Sequence, residues 1–470
     1  MQPQPVPDST GRSPREARHA VRGAFFGFFV DNYDIYLPVI ALAPALVYFV
    51  PKDLPASTTA LITSWIFVAT LIGRPIGSLV FGVIADTIGR RRATIIAASG
   101  FSVITLLIAL LPGHSTWGIG AVVALVALRF VDGVFLGGEY SGANTLAMEQ
   151  SAKAKRGVNG GLIQSGSTLS FVVASLITLV ILKIAPAGAP DSAYAVWGWR
   201  IPFLFGAAVS FGFLVYYIRN VKESNVWNAE KKSNPVRGLL KGDARRSILQ
   251  LFVMMTGMWL LLFSVTAVMP GHLRESADLD NEASTWVLVI LFTVMTAVFI
   301  GGGHLGQLLG RRTYLLGSIT AAALVGAPAY YAITQGAATS FTSAAALAVL
   351  TGCVIVAPWA VVTPYISERF QTESRATGFG LGYSMSVIIP GFYATYQLWL
   401  GSVVPEKTTI VVLVVIGCVL AFVGAFIGPE TKTIDFDHDL HDQSTSTSPE
   451  QMGTANGAGE MSANPVDEKL

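Results

Sequence analysis

Apolar stretches of membrane-spanning length recur along almost the whole chain. A helix needs about 20 mainly apolar residues to cross the hydrocarbon core of a bilayer, and this rule gives about twelve spans. The predicted spans start near Gly23, Thr59, Ala93, Gly118, Gly157, Trp197, Ser247, Ala283, Thr313, Ser340, Arg375 and Thr408. Since 52% of the residues are hydrophobic and only 13% are charged, a soluble globular enzyme is disfavoured. The sequence predicts an all-α membrane protein.

Positive charges fall mostly on alternate connections between the predicted spans. With the N-terminus in the cytoplasm, 24 of the 31 Lys and Arg residues lie on the inner side and 5 on the outer side. Arg74 and Arg129 lie within the membrane. Because cytoplasmic loops carry the excess of Lys and Arg, both termini are predicted to be cytoplasmic in a multi-pass protein of the cell inner (plasma) membrane. The net charge of +2 does not suggest binding to nucleic acid.

The charged stretches divide the chain into five parts. We predict a disordered cytoplasmic N-terminal tail over residues 1–22 and a first six-helix bundle over residues 23–220. A cytoplasmic central loop is predicted over residues 221–246, and a second six-helix bundle over residues 247–428. The polar, Gly- and Ser-rich segment over residues 429–470 is predicted to be a disordered cytoplasmic tail.

Two pairs of loops reveal an internal repeat. The segment "GVIADTIGRRR", which begins at Gly82, matches "GHLGQLLGRRT", which begins at Gly303, with an offset of 221 residues (303 − 82). The loops after the fourth and tenth spans match with an offset of 219, and they pair Glu149 with Glu368 and Arg156 with Arg375. The chain is therefore predicted to contain two six-helix halves of the same orientation, as in parallel-repeat transporters.

These motifs resemble those of a known family. "GVIADTIGRRR" resembles the first cytoplasmic signature of the major facilitator superfamily, and "RFVDGVFLGG" matches its fourth-span pattern. "RFVDGVFLGGEYSGA" and "WGWRIPFLFG" resemble the metabolite:proton symporter family more closely, while "KESNVW" and "GPETKTIDF" resemble signatures shared with sugar porters. The resemblance spans roughly Phe25 to Phe436. It implies two pseudo-symmetric six-helix bundles around one central cavity that opens alternately to each side.

The resemblance also implies a cytoplasmic gate. In the family, the acid of the first loop faces the inner end of the eleventh span, and arginines pair with acids across the halves. Carried onto this sequence, the gate residues are Gly82, Asp86, Gly89, Arg90, Arg91, Glu149, Glu223, Arg311, Glu368 and Glu430. The second half departs from the pattern because Gln307 stands where Asp86 stands in the first.

Two carboxylates interrupt the first span. A carboxylate at membrane depth costs roughly 2.5–3.5 kcal/mol even on insertion scales. The presence of Asp31 and Asp34 in this span therefore indicates a functional role. Because they are spaced at i and i+3, they share one helical face, and both side chains can face the cavity. We predict Asp34 as the main proton carrier with Asp31 as its partner. The alternative is a static pair of acids that neutralises Arg129.

Arg129 is the main candidate for substrate binding. A permanently charged guanidinium near the middle of a span requires a carboxylate or a substrate as partner, and Asp132 is a local candidate. For Arg74, functional placement and a snorkelling side chain remain equally open. Several aromatic and amide side chains could line the cavity, although aromatic residues in membrane helices more often pack or line the interface. The predicted substrate-binding set is Arg129, Tyr33, Gln164, Tyr365 and Tyr383.

Other classes of protein fit less well. The short outer loops contain no catalytic or metal-ligand cluster, so neither an enzyme, a metal site nor a cofactor is expected. The fifth span opens "GVNGGLIQSGSTLSF" without the Gly-Pro motif of proton-driven drug exporters, which favours uptake. We therefore predict proton-coupled uptake of a small organic acid, and "DNYDIYLPVIALAPAL" resembles the first span of aromatic-acid symporters. A zwitterion such as betaine or proline is the alternative substrate, and no oligomer is required.

Overall fold

The computed structural model describes residues 14–51, 54–224, 226–227, 235–276 and 278–436. Within these residues the secondary structure is helical, with no strand. The first half contains helices α1 Pro14–Leu37, α2 Ala56–Ile88, α3 Arg90–Ala109, α4 Gly120–Gln150, α5 Arg156–Ile184 and α6 Arg200–Asn220. The second half contains α7 Gly242–Phe263, α8 Asn281–Leu309, α9 Arg311–Ala321, α10 Phe341–Val356, α11 Arg375–Ser384 and α12 Thr409–Ile427. The predicted all-α fold of about twelve spans in two bundles is confirmed.

Short helices extend or connect the long ones. π-Helical turns occur at Pro38–Leu42, Tyr194–Gly198, Ser264–Val268 and Ala322–Gly326, and 3₁₀ turns occur at Ala43–Tyr48, Lys153–Lys155, Ala357–Val361, Thr372–Ser374, Met385–Val387 and Glu406–Thr408. Further short α-helices are His114–Trp117, Pro235–Leu239, Met269–Ser276, Ala327–Thr334, Val362–Ser367, Ile388–Gly391 and Tyr393–Leu400. With these extensions, 11 segments of the described chain are long and apolar enough to cross a membrane.

The eleventh predicted span differs from the others because it is broken. α11 ends at Ser384, and short helices follow at Met385–Val387, Ile388–Gly391 and Tyr393–Leu400. The sequence "IIPGF" explains the interruption, since Pro390 has no backbone N–H to donate and Gly391 is a weak helix former. The helix over these residues is therefore discontinuous, and it is absent from the 11 continuous segments.

The ends of the predicted domains also differ from the structure. α1 begins at Pro14, so residues 14–22, predicted to belong to a disordered tail, are helical. Pro235–Leu239 and the first turn of α7 lie within the predicted central loop. At the C-terminal end Thr431 is fully buried. Residues 429–434, which were predicted to begin the disordered tail, are therefore packed against the rest of the protein. Residues 1–13 and 437–470, most of the two predicted tails, lie outside the described residues.

Small residues allow the helices around the site to approach closely. Gly133 and Gly137 of α4 lie against the backbone of Thr70 and Arg74 in α2, where a Cβ atom would overlap the facing carbonyl oxygens. Glycines at i and i+4 are the usual packing face of membrane helices. The close α2–α4 contact brings the arginines of both helices next to α1, so packing positions the charged groups.

Candidate functional site

The first-repeat motif places Asp86 against the second half of the chain. At one end of the molecule, here called the arginine-rich end because it carries Arg90 and Arg311, the Asp86 carboxylate lies at the start of α11. It accepts hydrogen bonds from the backbone N–H groups of Ala376 (3.2 Å) and Thr377 (2.9 Å) and from the Thr377 hydroxyl (2.6 Å). A carboxylate at a helix N-terminus is favoured by the helix dipole. The structure thus joins α2 to α11 through this residue.

Arg90 and Glu149 extend this contact. The Arg90 guanidinium lies 3.3 Å from both Asp86 and Glu149, and it donates to the carbonyl oxygen of Thr372 at 2.5 Å. Glu149 also accepts from Arg375 of the second half at 2.8 Å. All four charged side chains are buried. The first-repeat motif therefore forms a buried network of charges that ties the two halves together.

The second repeat forms a related network around Gln307. Its amide oxygen accepts from the backbone N–H of Gly157 at the start of α5 (2.8 Å) and from Arg311 (3.0 Å). Arg311 pairs with Glu368 at 3.1 Å, and Glu368 accepts from the Thr431 hydroxyl at 2.6 Å. Gln307 thus occupies the position of Asp86 at the other helix start, with an amide in place of a carboxylate.

Glu223 and Glu430 cap two helices at the same end. Glu223 accepts from the backbone N–H of Arg91 at 3.1 and 3.2 Å, and Glu430 accepts from the N–H groups of Arg311 (2.8 Å) and Arg312 (3.0 Å). The residues before α3 and α9 are Gly89 and Gly310, with φ of 110° and 106°, a conformation that only glycine adopts without strain. The side chain of Arg91 donates to the carbonyls of Val221 and Ile218, and Gly82 lies against the backbone of Thr377.

Deeper in the molecule, the two aspartates of α1 pair with different arginines. Asp31 lies 2.5 Å from Arg74 of α2, and Asp34 lies 2.5 Å from Arg129 of α4. All four residues are at most 2% exposed. Because three residues advance an α-helix by about 300°, the two side chains point about 60° apart, which is enough to reach two neighbours. They therefore form two separate ion pairs rather than one shared acid pair.

The Asp34–Arg129 pair lies inside the first bundle. Arg129 also contacts Asp132 at 3.1 Å, and the Thr105 hydroxyl of α3 donates to Asp34 at 3.1 Å. Within the described residues, the hydrogen-bond partners of this guanidinium all belong to the first half, and both carboxylates contact it. Arg129 is thus enclosed by its own bundle with two carboxylates on its guanidinium, and its contact with substrate stays a prediction.

The Asp31–Arg74 pair lies where the two halves meet. The Arg74 guanidinium carbon lies 5.1 Å from the centre of the Tyr140 ring, which itself lies 4.8 Å from the Tyr383 ring of the second half. One turn after Arg74, the Ser78 hydroxyl bonds that of Ser384 at 2.7 Å across the same boundary. Arg74 is fully buried and paired, so the snorkelling interpretation is wrong.

Aromatic side chains of the second half surround this boundary. The rings of Trp259, Trp359 and Tyr383 lie edge to face, with centroid distances of 4.8–5.9 Å. The Trp259 indole donates to the carbonyl of Tyr383 (3.0 Å), and the Trp359 indole donates to that of Met258 (3.2 Å). These bonds fix the orientation of both indoles.

The remaining predicted binding residues are distributed unevenly. Tyr383 lies in the central cluster, and Gln164 bridges the halves by donating to the Trp359 carbonyl (3.1 Å) and accepting from Thr363 (3.3 Å). Tyr33 instead donates to Pro202 within the first half (3.0 Å), and Tyr365 lies beside Gln250 (3.3 Å) near the arginine-rich end. The structure does not bring Tyr33 and Tyr365 to the central cluster.

A cleft leads into the molecule from the end opposite the arginine-rich end. It has a volume of about 220 Å³ and lies between the halves, lined among others by Leu42, Phe67, Ala267 and Tyr393. A narrower pocket continues inward between Asn32, Tyr36 and Trp259. The cleft therefore ends beside the central aromatic cluster, while the arginine-rich end is closed by the charge network.

In this region, sequence reasoning left the role of Arg74 open and assigned none to Glu139 or Trp259. Glu139 of α4 is fully buried against Gly27, and within the described chain neither carboxylate oxygen has a hydrogen-bond partner. An ionisable residue inside a span is by default a functional candidate, and that signal was present in the sequence for both Arg74 and Glu139. Trp259 carried no such signal, because aromatic residues are common in membrane helices.

Comparison with known proteins agrees with this architecture. The family model of the Major Facilitator Superfamily matches residues 24–395. The proton:xylose symporter XylE superposes with a TM-score of 0.68 over 90% of this chain and 99% of its own, at 15% identity, which shows the shared fold. The chain belongs to the major facilitator superfamily, and its resemblance to metabolite:proton symporters is confirmed.

Relatives with known roles are transporters of small organic molecules. An ectoine/proline transporter of Corynebacterium glutamicum is 27% identical over 397 residues, which cover 80% of this chain and 77% of that protein. The shikimate transporter of Escherichia coli is 27% identical over 403 residues (83% and 89%), and the alpha-ketoglutarate permease of that organism is 28% identical over 393 residues (82% and 88%). The protein is a membrane-spanning transporter and not an enzyme.

Proposed function

We propose that this transporter couples the uptake of a small organic acid to the entry of protons by alternating access. The observation that carries the proposal is the buried Asp34–Arg129 pair, in which a titratable carboxylate faces a permanent cation at 2.5 Å inside one bundle. Ionisable residues inside the membrane mark proton and substrate pathways. Protonation of Asp34 weakens this ion pair and frees the first bundle to rearrange.

The proposed orientation places the arginine-rich end in the cytoplasm of a bacterial-type cell, with both termini on that side of the inner membrane. It rests on the excess of Lys and Arg in the loops at that end. In this orientation the charge network around Asp86, Arg90 and Glu149 is a closed cytoplasmic gate, and the cleft beside Phe67 faces outward. The structure then corresponds to a state that receives substrate from outside.

The test is transport by the purified protein in proteoliposomes. Asp34→Asn carries a neutral amide that mimics a permanently protonated acid. We expect gradient-driven accumulation of the acid to fail in this variant, while exchange at equal pH survives. Asp31→Asn is the matched variant on the same helix, and it is expected to impair accumulation less. Accumulation that persists in both variants would exclude these carboxylates from proton coupling.

A zwitterion such as proline or betaine is the second candidate substrate. It is favoured by the similarity to an ectoine/proline transporter and to the proline/betaine transporter of Escherichia coli, which is 25% identical over 399 residues. Uptake of radiolabelled shikimate, 2-oxoglutarate, proline and glycine betaine, with and without a proton gradient, separates the two. Accumulation of the acids alone supports the first proposal, whereas accumulation of proline or betaine alone replaces it.

A further inference from the structure

The guanidinium of Arg74 is only partly used by the protein. Its Nη2 donates to both oxygens of Asp31, at 2.8 and 2.5 Å. Nε and Nη1 are buried, and no group in the described part of the chain accepts a hydrogen bond from either. A buried donor without an acceptor is costly, and more so on a charged group. The N–H groups of these two nitrogens are therefore suited to an acceptor that comes from outside the chain.

Arg74 also lies on the surface that must separate during transport. Its neighbour Tyr140 contacts Tyr383 of the second half, and Ser78, one turn further along α2, bonds Ser384 across the boundary. Arg129 differs in position, since Asp34 and Asp132 contact it within one bundle. Among the described residues its Nε also lacks a partner, but its Nη1 and Nη2 both donate hydrogen bonds. Of the two membrane arginines, Arg74 is the one that alternating access would expose.

The surroundings of Arg74 provide rigid apolar surfaces. Trp259 and Trp359 are held by hydrogen bonds from their indoles to backbone carbonyls, so their faces cannot turn freely. Trp259 also lines the narrow pocket at the inner end of the cleft, together with Tyr36. Sites for small molecules commonly combine apolar and aromatic walls with a few fixed polar groups. Trp259 contacts Tyr383, which contacts Tyr140 over the Arg74 guanidinium. The guanidinium and this aromatic cluster together suit a carboxylate attached to a small apolar or ring-shaped body.

We propose that Arg74 binds the carboxylate of the transported solute through its free N–H groups, and that Trp259 and Tyr383 contact the rest of the solute. This inference rests on the proposed function, since it specifies the residue that recognises the acid. Asp31 neutralises Arg74 when no solute is bound and shares the guanidinium when a second carboxylate arrives. A carboxylate occurs in organic acids and in zwitterions, and the panel of solutes distinguishes them.

The test is direct binding of radiolabelled shikimate, 2-oxoglutarate, proline and glycine betaine to the full chain in detergent. For the solute that the unaltered protein binds, Arg74→Gln should weaken affinity by about tenfold or more for each charge-assisted hydrogen bond that is lost. Arg74→Lys keeps a positive charge beside Asp31 but lacks the planar fork, so it should also bind weakly. Arg219→Lys, which changes an exposed arginine of α6, is the matched control and should bind normally.

A combined variant guards against misfolding. Arg74→Gln leaves Asp31 as a buried lone carboxylate, whereas Arg74→Gln with Asp31→Asn removes both charges, so that no unpaired charge stays buried. Weak binding by the folded double variant supports the inference, and affinity equal to that of the unaltered protein overturns it. If the unaltered protein accumulates none of the four solutes, the proposed function itself fails, which is a different result.

A second inference comes from Glu139. Its carboxyl group is enclosed by α1 at Gly27 and by Phe213 of α6, and it is 0% exposed. Both oxygens lack a hydrogen-bond partner within the described residues. An ionised carboxylate in such a place has nothing to offset its loss of hydration, whereas the neutral acid loses far less. The geometry therefore favours the protonated form.

The titratable groups around Glu139 come from three helices and from α4 itself. They are Asp31 of α1, Arg74 of α2, Tyr217 of α6 and Tyr140, the next residue in α4. Arg74 is the single cation among them, and its charge is already shared with Asp31. We infer that Glu139 holds a proton in this closed conformation and exchanges it when the helices of the first bundle rearrange.

Difference infrared spectroscopy and transport together test this inference. Glu139→Gln replaces the neutral acid by a neutral amide of nearly the same shape, so folding and solute exchange should survive. The absorption band of a protonated carboxylic acid should be lost, and gradient-driven accumulation should fall to the level of exchange alone. Either an unaltered band or accumulation equal to that of the unaltered protein would overturn the inference.

Discussion

The two repeats close the arginine-rich end by different means. In the first repeat, the Asp86 carboxylate accepts three hydrogen bonds at the start of α11. In the second repeat, the Gln307 amide oxygen accepts one backbone hydrogen bond at the start of α5. Hydrogen bonds with an ionised partner are roughly twice as strong as neutral ones. The α2–α11 contact therefore depends on charge, and the α5–α8 contact depends on it much less.

Close packing replaces charge on the α5–α8 side. A Cβ atom on Gly303 would come within 2.6 Å of the Gly157 carbonyl oxygen and 2.8 Å of the Gly161 Cα, so the two backbones touch. The helices share a long contact along this seam. We infer that the α5–α8 seam stays together as a hinge while the α2–α11 contact opens. The following variants test this comparison, from the largest expected effect to the smallest.

Glu149→Gln should have the largest effect, because this buried carboxylate pairs with Arg90 (3.3 Å) and with Arg375 of the other half (2.8 Å). Breaking a buried pair by removing one partner costs about 3–5 kcal/mol. We expect a lower Tm and an open arginine-rich end. The readout is labelling of Ala376→Cys by a membrane-impermeant maleimide, with Cys353 and Cys418 replaced.

The matched variant is Glu368→Gln, at the equivalent position of the second repeat. Glu368 forms a salt bridge with Arg311 and has a hydroxyl partner in Thr431. Its loss should lower the Tm less and leave labelling of Ala376→Cys unchanged. Equal labelling in both variants would mean that the two repeats contribute equally to closure.

Gly303→Ala tests the seam that is held by packing. The added methyl group would meet backbone atoms of α5, and overpacking in a tight core typically costs about 1–3 kcal/mol. We expect a lower Tm and slower transport. Gly301→Ala on the same helix has nothing within 4 Å of the added Cβ and should behave normally. Unimpaired transport by Gly303→Ala would argue against a tightly packed hinge.

Asp86→Asn should have a moderate effect on the distribution between open and closed states. The amide keeps the size of the side chain but removes the negative charge from the start of α11, a favourable interaction of up to about 2 kcal/mol in partly buried geometries. We expect near-normal solute binding, slower turnover and more labelling of Ala376→Cys. Its counterpart, Gln307→Glu, should not increase labelling, and the comparison fails if it opens the gate as strongly.

Glu223→Gln and Glu430→Gln should have the smallest effects. Each carboxylate caps backbone N–H groups at the start of a helix, α3 for Glu223 and α9 for Glu430. A charge at such a position contributes about 0.3–1 kcal/mol. Since the two caps are alike in both repeats, the two variants should lower the Tm by similar small amounts in thermal denaturation. A clear difference between them would extend the asymmetry to the caps.

Much of the fold was predictable because hydropathy and repeats are local properties of the sequence. The spans and the repeat offsets followed from apolar length and from motif positions, whereas the set of gate residues was implied by the family resemblance. The contact between Asp86 and the start of α11 also agreed with the family resemblance. The broken eleventh span was missed, because its apolar residues continue through the Pro390–Gly391 interruption.

The central site was less predictable, because it depends on how neighbouring helices are rotated. Spacing placed Asp31 and Asp34 on one face, yet a rotation of about 60° directs them to two arginines on two helices. The same packing encloses Arg129 in one bundle and leaves Arg74 at the boundary with Tyr383. Sequence alone favoured Arg129 over Arg74 as the residue that binds substrate, whereas the inference from the structure favours Arg74.

The sequence by itself determined that this protein spans the membrane repeatedly, that it consists of two parallel halves, and which charges must be accounted for. Each of these follows from the high cost of polar groups in lipid, which acts on every segment separately. Only the tertiary structure decided which carboxylate pairs with which arginine, and which polar atoms of Arg74 and Glu139 lack a partner among the described residues. Those outcomes depend on distances of a few ångströms between helices that are far apart in the chain.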